Sequence, residues 1–287
     1  MKIITPIASI LCVTALFMQP SHAAVTDYQT ATWNMQGSSQ ASEAKWNVNV
    51  QQLVSGDASV DILALQEAGT VPATARVTGR QIVSPLPSVP VREYEWNLGT
   101  RSRPNIRYIY FAEWDAGARR VNQAIVTRSR ADEIVILPNP LVNSARPLLG
   151  VGFNRTGGVR GRDYFFTIHG FATGGGDTAP SIEAIHGIFE ARRDSDSQWL
   201  VMGDYNTNPN VLLGNLQRRL IIPITDVEIL TQPSPTQRSG GTLDYAVFGQ
   251  YNAAQSVAIL LAAAMFVAQL HGSLNSDHTP VKFFRKS

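Results

Sequence analysis

The chain has 287 residues, 44% of them apolar, and a formal net charge of +2, enough to bury a large core as one globular unit. The near-balanced charge, with no block of like charges, excludes a polyelectrolyte arm or an acidic tail. The single cysteine, Cys12, excludes a disulfide framework and, if its segment is removed, any thiol nucleophile or thiolate metal site.

Lys2 followed by the apolar run Ile7 to Met18 and by Ser21-His22-Ala23 predicts a signal peptide over 1–23, cut after Ala23. One domain is then expected over 24–287. Thr30 to Met35 and Asp61 to Gln66 are predicted as buried strands. Between them Trp46, Val50 and Leu53 fall at helical spacing. Arg107 to Ala112, Gln123 to Thr127, Asp163 to His169, Gln198 to Gly203 and Leu243 to Phe248 continue the strand series, and a last strand follows His278. Pro180 is expected to open a second helix, with Ile182, Ile185 and Phe189 on one face and Arg192-Arg193 at its end, where positive charge suits the dipole. Pro85 to Pro90 reads as a surface loop. Ala253 to Leu270 is almost wholly apolar, but Gln255, Ser256 and Gln269 and the lack of basic flanks argue against a membrane span; a buried helix is expected.

Chemistry is signalled where apolar strands end on polar groups, because a strand is a rigid platform and a carboxylate at its end must be satisfied by metal, water or substrate. Asn34, Glu67 and His169 end three such runs. Asp204 and Asn206 follow Leu200-Val201-Met202-Gly203, Asp244 follows Leu243, and Asp277-His278 precede the last strand. Singly, each has a local use: Asn34 as a cap, Asp204 and Asn206 in an Asx turn, His169 as a satisfied half-buried histidine. Jointly they point to one site. Lysine occurs only at 2, 45, 282 and 286, so the basic groups are mostly arginine, which grips phosphate bidentately.

Trp33-Asn34, Leu65-Gln66-Glu67, Gly203-Asp204-Tyr205-Asn206, Leu243-Asp244-Tyr245 and Ser276-Asp277-His278 resemble, in order, the motifs of the endonuclease/exonuclease/phosphatase superfamily. Trp33 to Ser39, Lys45 to Val50, Gln66 to Gly69, Trp96 to Thr100 and Gly117 to Asn122 resemble its family of cytolethal distending toxin B subunits, across nearly the whole chain after residue 23.

That resemblance implies an α+β, four-layer α/β/β/α sandwich of the deoxyribonuclease I-like type. It implies a secreted genotoxin subunit that hydrolyses host DNA with Mg2+, or with Mn2+ or Ca2+ in its place, beside the companion A and C subunits of the toxin. Glu67 would ligate the metal, with Asn34 and Asp277 close by. Asp204 and Asn206 would position water and phosphate, His278 oriented by Asp244 would flank the phosphate together with His169, and Arg119 and Arg146 would contact phosphates. His186 and His271 are read as structural. A phosphatase acting on phosphatidylinositol-3,4,5-trisphosphate would use the same groups, so the site does not choose between these substrates. A non-catalytic binding protein is disfavoured by the intact set from Asn34 to His278.

Two departures from the pattern stand out. Where deoxyribonuclease I has a glutamate that orients its first catalytic histidine, this chain is expected to have Ile106, leaving His169 less firmly held. The longer Gly152 to Arg162 segment, with Arg155, Arg160 and Arg162, reads as a long hairpin rather than a basic loop reaching nucleic acid.

Overall fold

Thr30–Asn34 (β1) and Ile62–Gln66 (β2) are buried along their whole length and pair in parallel, as strands covered on both faces do. In the computed structural model, which describes residues 24–37, 42–56, 59–114, 121–142, 145–253, 261–265 and 276–286, they form the centre of the first of two sheets. Its other strands are Arg76–Val77 (β3), Val91–Asn97 (β4), Ile106–Ala112 (β5), Gln123–Thr127 (β6), Leu261–Met265 (β13) and Val281–Arg285 (β14), in the order β13-β14-β1-β2-β6-β5-β4-β3. The second sheet holds Glu133–Leu137 (β7), Leu148–Asn154 (β8), Arg162–His169 (β9), Gln198–Asp204 (β10), Val227–Leu230 (β11) and Asp244–Gly249 (β12), in the order β11-β12-β10-β9-β8-β7.

The sheets pack face to face through Ile62, Ala64, Tyr110 and Ile125 on one side and Leu149, Phe165, Leu200 and Met202 on the other. A polar tie crosses this interior: Gln66 Nε2 donates to Thr167 Oγ1 at 2.9 Å. Outside the first sheet runs a helical stretch made of Ser42–Ala44 (α1), a π-helical turn Lys45–Val50 and Gln51–Val54 (α2), whose Trp46, Val50 and Leu53 pack on Ala31, Trp33 and Leu65. Outside the second lie Thr178–Arg192 (α3) and Pro209–Arg219 (α4), with Ile182, Ile185, Phe189 and Leu212 on Tyr164, Phe166, Trp199 and Val201. The four-layer expectation holds, and α3 begins at Thr178 rather than Pro180.

One expectation is overturned. Within the apolar segment Ala253 to Leu270, Leu261–Met265 is an edge strand, not a helix, antiparallel to β14 with Ala263 opposite Phe283. An unbroken apolar run carries no period to separate helix from strand, and the open edge of β14 decides it. The rest of that segment, like the expected signal peptide, His271 and Arg119, lies outside the described residues. No helix among the described residues is long and apolar enough to cross a membrane.

Packing is close at Gly203, where an added Cβ would sit 1.9 Å from the carbonyl oxygen of Ile168. Gly203→Ala should therefore push β10 from β9 just before Asp204, lowering stability by about 3 kcal/mol, readable as a drop in Tm.

The Gly152 to Arg162 segment is a hairpin, Asn154 pairing with Arg162, at the end of β9 opposite His169. Its Arg155 is folded back onto the buried Asp163 at 2.8 Å and onto the Asp196 carbonyl, so it faces the protein rather than a ligand. Arg155→Ala is expected to cost about 3–5 kcal/mol in urea unfolding, because it takes away the cation paired with a buried carboxylate, while activity per folded molecule stays the same.

Candidate active site

Parallel pairing sends the ends of β1 and β2, and those of β9 and β10, to the same rim of the sandwich. In the second sheet the register sets His169 opposite Asp204 and Asp204 opposite Asp244, which places one imidazole and two carboxylates in a row across the strand ends. The first sheet adds Asn34 and Glu67, and the turn before β14 adds Asp277 and His278. That turn is pinned by Ser276 Oγ donating to the Asn34 carbonyl at 2.7 Å and by Trp33 Nε1 donating to the His278 carbonyl at 3.1 Å.

The side chains converge. Asn34 Nδ2 donates to Asp204 Oδ2 at 2.9 Å and to Glu67 Oε1 at 3.3 Å. His169 Nε2 lies 3.7 Å from Glu67 Oε1 and 3.8 Å from Asp204 Oδ2. His278 Nε2 approaches the same Asp204 oxygen at 3.7 Å and Asp277 Oδ1 at 3.5 Å, while its Nδ1 meets Asp244 Oδ2 at 2.8 Å. Asn206 N donates to Asp204 Oδ1 at 2.9 Å, and its side-chain amide donates to the Gly170 carbonyl at 3.0 Å. Gln36, Glu67 and Asn206 all adopt left-handed backbone, with φ of 49°, 48° and 50°. Such conformations cost free energy in residues other than glycine and gather where a site must hold an awkward geometry.

The two histidines carry different charge. Burial pushes His278 down, but the Asp244 hydrogen bond and the charges of Asp244, Asp204 and Asp277 outweigh it and raise its pKa to about 9. His169, fully buried, is held well below the usual imidazole range by desolvation and by the positive charges of Arg146 and His278. His278 is thus an imidazolium at neutral pH and His169 a neutral ring. Burial and the Asp244 charge raise Asp204 to about 6, against the opposing pull of His278 and Asn34.

Two groupings of donors suit a cation. Asp204, Asp244 and His278 offer ligand atoms within 4.8 Å of one another. All three are buried, and His278 already meets Asp244 through Nδ1 at 2.8 Å. Glu67 and Asp277 form the second grouping. Both side chains are partly exposed, 22% and 36%, and Asp277 Oδ1 accepts no hydrogen bond from the described residues. Their carboxylate oxygens are the donors a hard divalent cation prefers, while Asn34 beside them turns Nδ2 to Glu67 and accepts the Gln36 N–H through Oδ1.

Lys45, buried on the π-helical turn, was not expected here. Its ammonium donates to the Met35 carbonyl at 2.5 Å and the Gln36 carbonyl at 3.0 Å, and its charge acts on Glu67 and Asp277. Gln36 in turn accepts from the Asp277 backbone N–H at 3.0 Å. One buried cation thereby braces the corner between the two carboxylate segments. A π-helical turn beside a functional corner is a recurrent arrangement.

All the predicted residues that are described, Asn34, Glu67, His169, Asp204, Asn206, Asp244, Asp277 and His278, share this rim, and Arg146 lies close enough to shift His169. The Ile106 equivalence fails. β5 runs antiparallel to β6, and β6 antiparallel to β2, so Ala112 rather than Ile106 stands at the site end of β5. The same face of β6 as Ile125 carries Gln123 there, its carboxamide buried and unbonded. The consequence drawn from the missing glutamate survives, since His169 Nδ1 is buried with no hydrogen-bond partner among the described residues. Sequence reading also passed over Thr236, whose Oγ1 receives the Leu243 and Asp244 backbone N–H groups, and exposed Arg238, whose backbone N–H bonds the Asp277 carbonyl.

Residues 31–278 match the Endonuclease/Exonuclease/phosphatase family. The chain is 42% identical to the homolog of the cytolethal distending toxin B subunit from Salmonella typhi over 265 residues, 92% of each chain. It is 42% identical to the cytolethal distending toxin B subunit of Escherichia coli over 273 residues, 93% of this chain and 94% of that one. The crystal structure of the Haemophilus ducreyi cytolethal distending toxin superposes with a TM-score of 0.81 at 40% identity, covering 92% of this chain and 100% of the matched one.

Proposed function

From the premise that the chain belongs to the endonuclease/exonuclease/phosphatase family, within its group of cytolethal distending toxin B subunits, we propose that it is the catalytic subunit of a secreted genotoxin, a magnesium-dependent endonuclease acting on host DNA. The observation that carries this reading is the meeting of His169, His278, Asp204 and Glu67 from separate strand ends, with both imidazole Nε2 atoms within 4 Å of the same Asp204 oxygen.

In the proposed reaction a water attacks phosphorus in line and the bond to the leaving oxygen breaks. Asp204 takes the proton of the water, and the His278 imidazolium gives its Nε2 proton to the leaving oxygen. Asp244 holds the His278 ring and its charge through Nδ1. Neutral His169 presents Nε2 as a donor to a phosphoryl oxygen, with Asn206 and the Arg146 charge fixing the phosphate. A magnesium ion held by Glu67 and Asp277, with Asn34 beside them, would act as a Lewis acid on the phosphoryl oxygens. Arg119 is proposed as a further phosphate contact. Host delivery is assigned to the companion A and C subunits, with export through a signal peptide over 1–23. DNA is favoured over a phosphoinositide because no lysine-rich segment is available to hold an inositol polyphosphate.

The test is relaxation of supercoiled plasmid by the purified chain with Mg2+ and with chelator. Cleavage that ignores the chelator, or no cleavage at all, sinks the proposal.

A pH prediction follows from these charges. His278 must be protonated and Asp204 deprotonated, so kcat/KM should rise through about pH 6 and fall through about pH 9. The acid limb should move lower as Mg2+ is raised, since a nearby cation favours carboxylate; a pH profile at two metal concentrations checks both limbs.

A further inference from the structure

The loop between β7 and β8 stands on the catalytic rim, because β8 begins at the His169 end of β9, with Leu149 opposite Thr167. It exposes two apolar side chains, Leu141 at 53% and Val142 at 44%. Their presentation is built rather than incidental. Buried Asn139 accepts the Leu141 N–H at 3.0 Å and the Val142 N–H at 3.3 Å through Oδ1, and its amide donates to buried Asp177 at 2.8 Å. The other Asp177 oxygen takes the Phe171 N–H at 2.8 Å, two residues beyond His169. Pro140 fixes its own backbone φ inside the turn. A continuous buried polar chain therefore runs from the segment after the histidine to the loop and holds two hydrocarbon side chains in water.

Four residues after Val142 the chain carries Arg146, whose charge reaches His169. An apolar pair held by hydrogen bonds, with an arginine nearby in sequence and beside a phosphodiester-cutting site, matches a duplex edge: phosphate for the arginine, deoxyribose and base edges for the hydrocarbon. Apolar wedges backed by arginine are how proteins grip and open the minor groove. A lipid bilayer fits less well, since membrane-seeking tips carry clustered lysine or interfacial aromatics, and the exposed large apolar residues of the described chain include no Trp or Phe.

Resting on the endonuclease reading above, we propose that Leu141 and Val142 form a fixed minor-groove wedge that seats duplex DNA on the catalytic rim.

The experiment compares the parent with a Leu141→Ser, Val142→Ser double variant in three assays. Duplex affinity is read by fluorescence anisotropy on a duplex of about 30 bp, in a His278→Gln background in which cleavage is too slow to interfere. Plasmid nicking and hydrolysis of bis(p-nitrophenyl) phosphate are read in the active background. The variant is expected to bind duplex about 10-fold more weakly and to show a matching rise in KM for plasmid, the scale of losing one buried leucine contact. Hydrolysis of the small diester, which cannot reach the tip, should not change. Equal duplex binding by parent and variant overturns the wedge. So does a variant whose only loss is affinity for phosphoinositide-containing vesicles, which would make the tip a lipid anchor. A parent that hydrolyses the small diester but never nicks plasmid overturns the endonuclease reading itself, a result distinct from either.

Discussion

Replacing His278 with glutamine is expected to lower DNA cleavage by about 10³-fold or more, with duplex affinity nearly unchanged. Among the described residues of the site, the ring is the one group that is both cationic at neutral pH and within 4 Å of Asp204, the proposed base, and of Asp277. Removing it deletes the proposed proton donor and the positive charge together, so kcat should fall with little rise in KM. Glutamine is preferred to alanine because Asp244 is wholly buried and keeps its 2.8 Å partner only if a donor remains. Asp244→Asn provides the internal control. It leaves the ring in place but removes the anion that raises it, so the basic limb should slide from about 9 toward the ordinary imidazole value. Steady-state nicking across pH, with Tm measured on each variant, separates chemistry from folding. A glutamine variant that retains a tenth of parental kcat would remove His278 from the mechanism.

Much of this site was legible because the sequence marks it twice. Each apolar run ends on a polar residue, and strand pairing brings those ends to one rim. What stayed hidden is what no local pattern encodes. The strand Leu261–Met265 sits in a run whose periodicity is blank, so only its partner β14 could reveal it. β8 was missed because Gly150 and Gly152 break its pattern, yet those glycines are what let Phe166 and Tyr164 lie against the strand, at 2.4 and 2.6 Å from where a Cβ would be. Helix α4 had a start signal, Asn208-Pro209, with the Asn208 side chain accepting the Asn210 N–H, but its apolar stripe is short. The frame of the site was harder still. Lys45 looks like an ordinary surface lysine, and Asn139 and Asp177 lie far apart in the chain, so their roles emerge only once the chain has closed on itself. The Ile106 equivalence failed for a related reason: Arg-Tyr at a strand start does not say which end of the sheet that start occupies.

Glu67→Gln is expected to abolish the metal response, with Mn2+ affinity about 100-fold weaker or worse and cleavage down by about 10³-fold at fixed Mg2+. The substitution keeps shape and the 3.3 Å contact with Asn34, so the left-handed turn at residue 67 should persist. What changes is one negative charge at the partly exposed oxygen set. Asp277→Asn should weaken Mn2+ binding by a smaller factor, about 10-fold, because its carboxylate also faces the His278 cation. The alternative grouping of Asp204, Asp244 and His278 predicts the reverse order: Asp244→Asn would then cost more metal affinity than Glu67→Gln. Titrating Mn2+ by electron paramagnetic resonance on the three variants reads binding without relying on turnover. If Asp244→Asn proves the most damaging, the ion belongs among the buried residues, and the division between a metal-bearing Glu67 side and a proton-bearing His278 side does not hold.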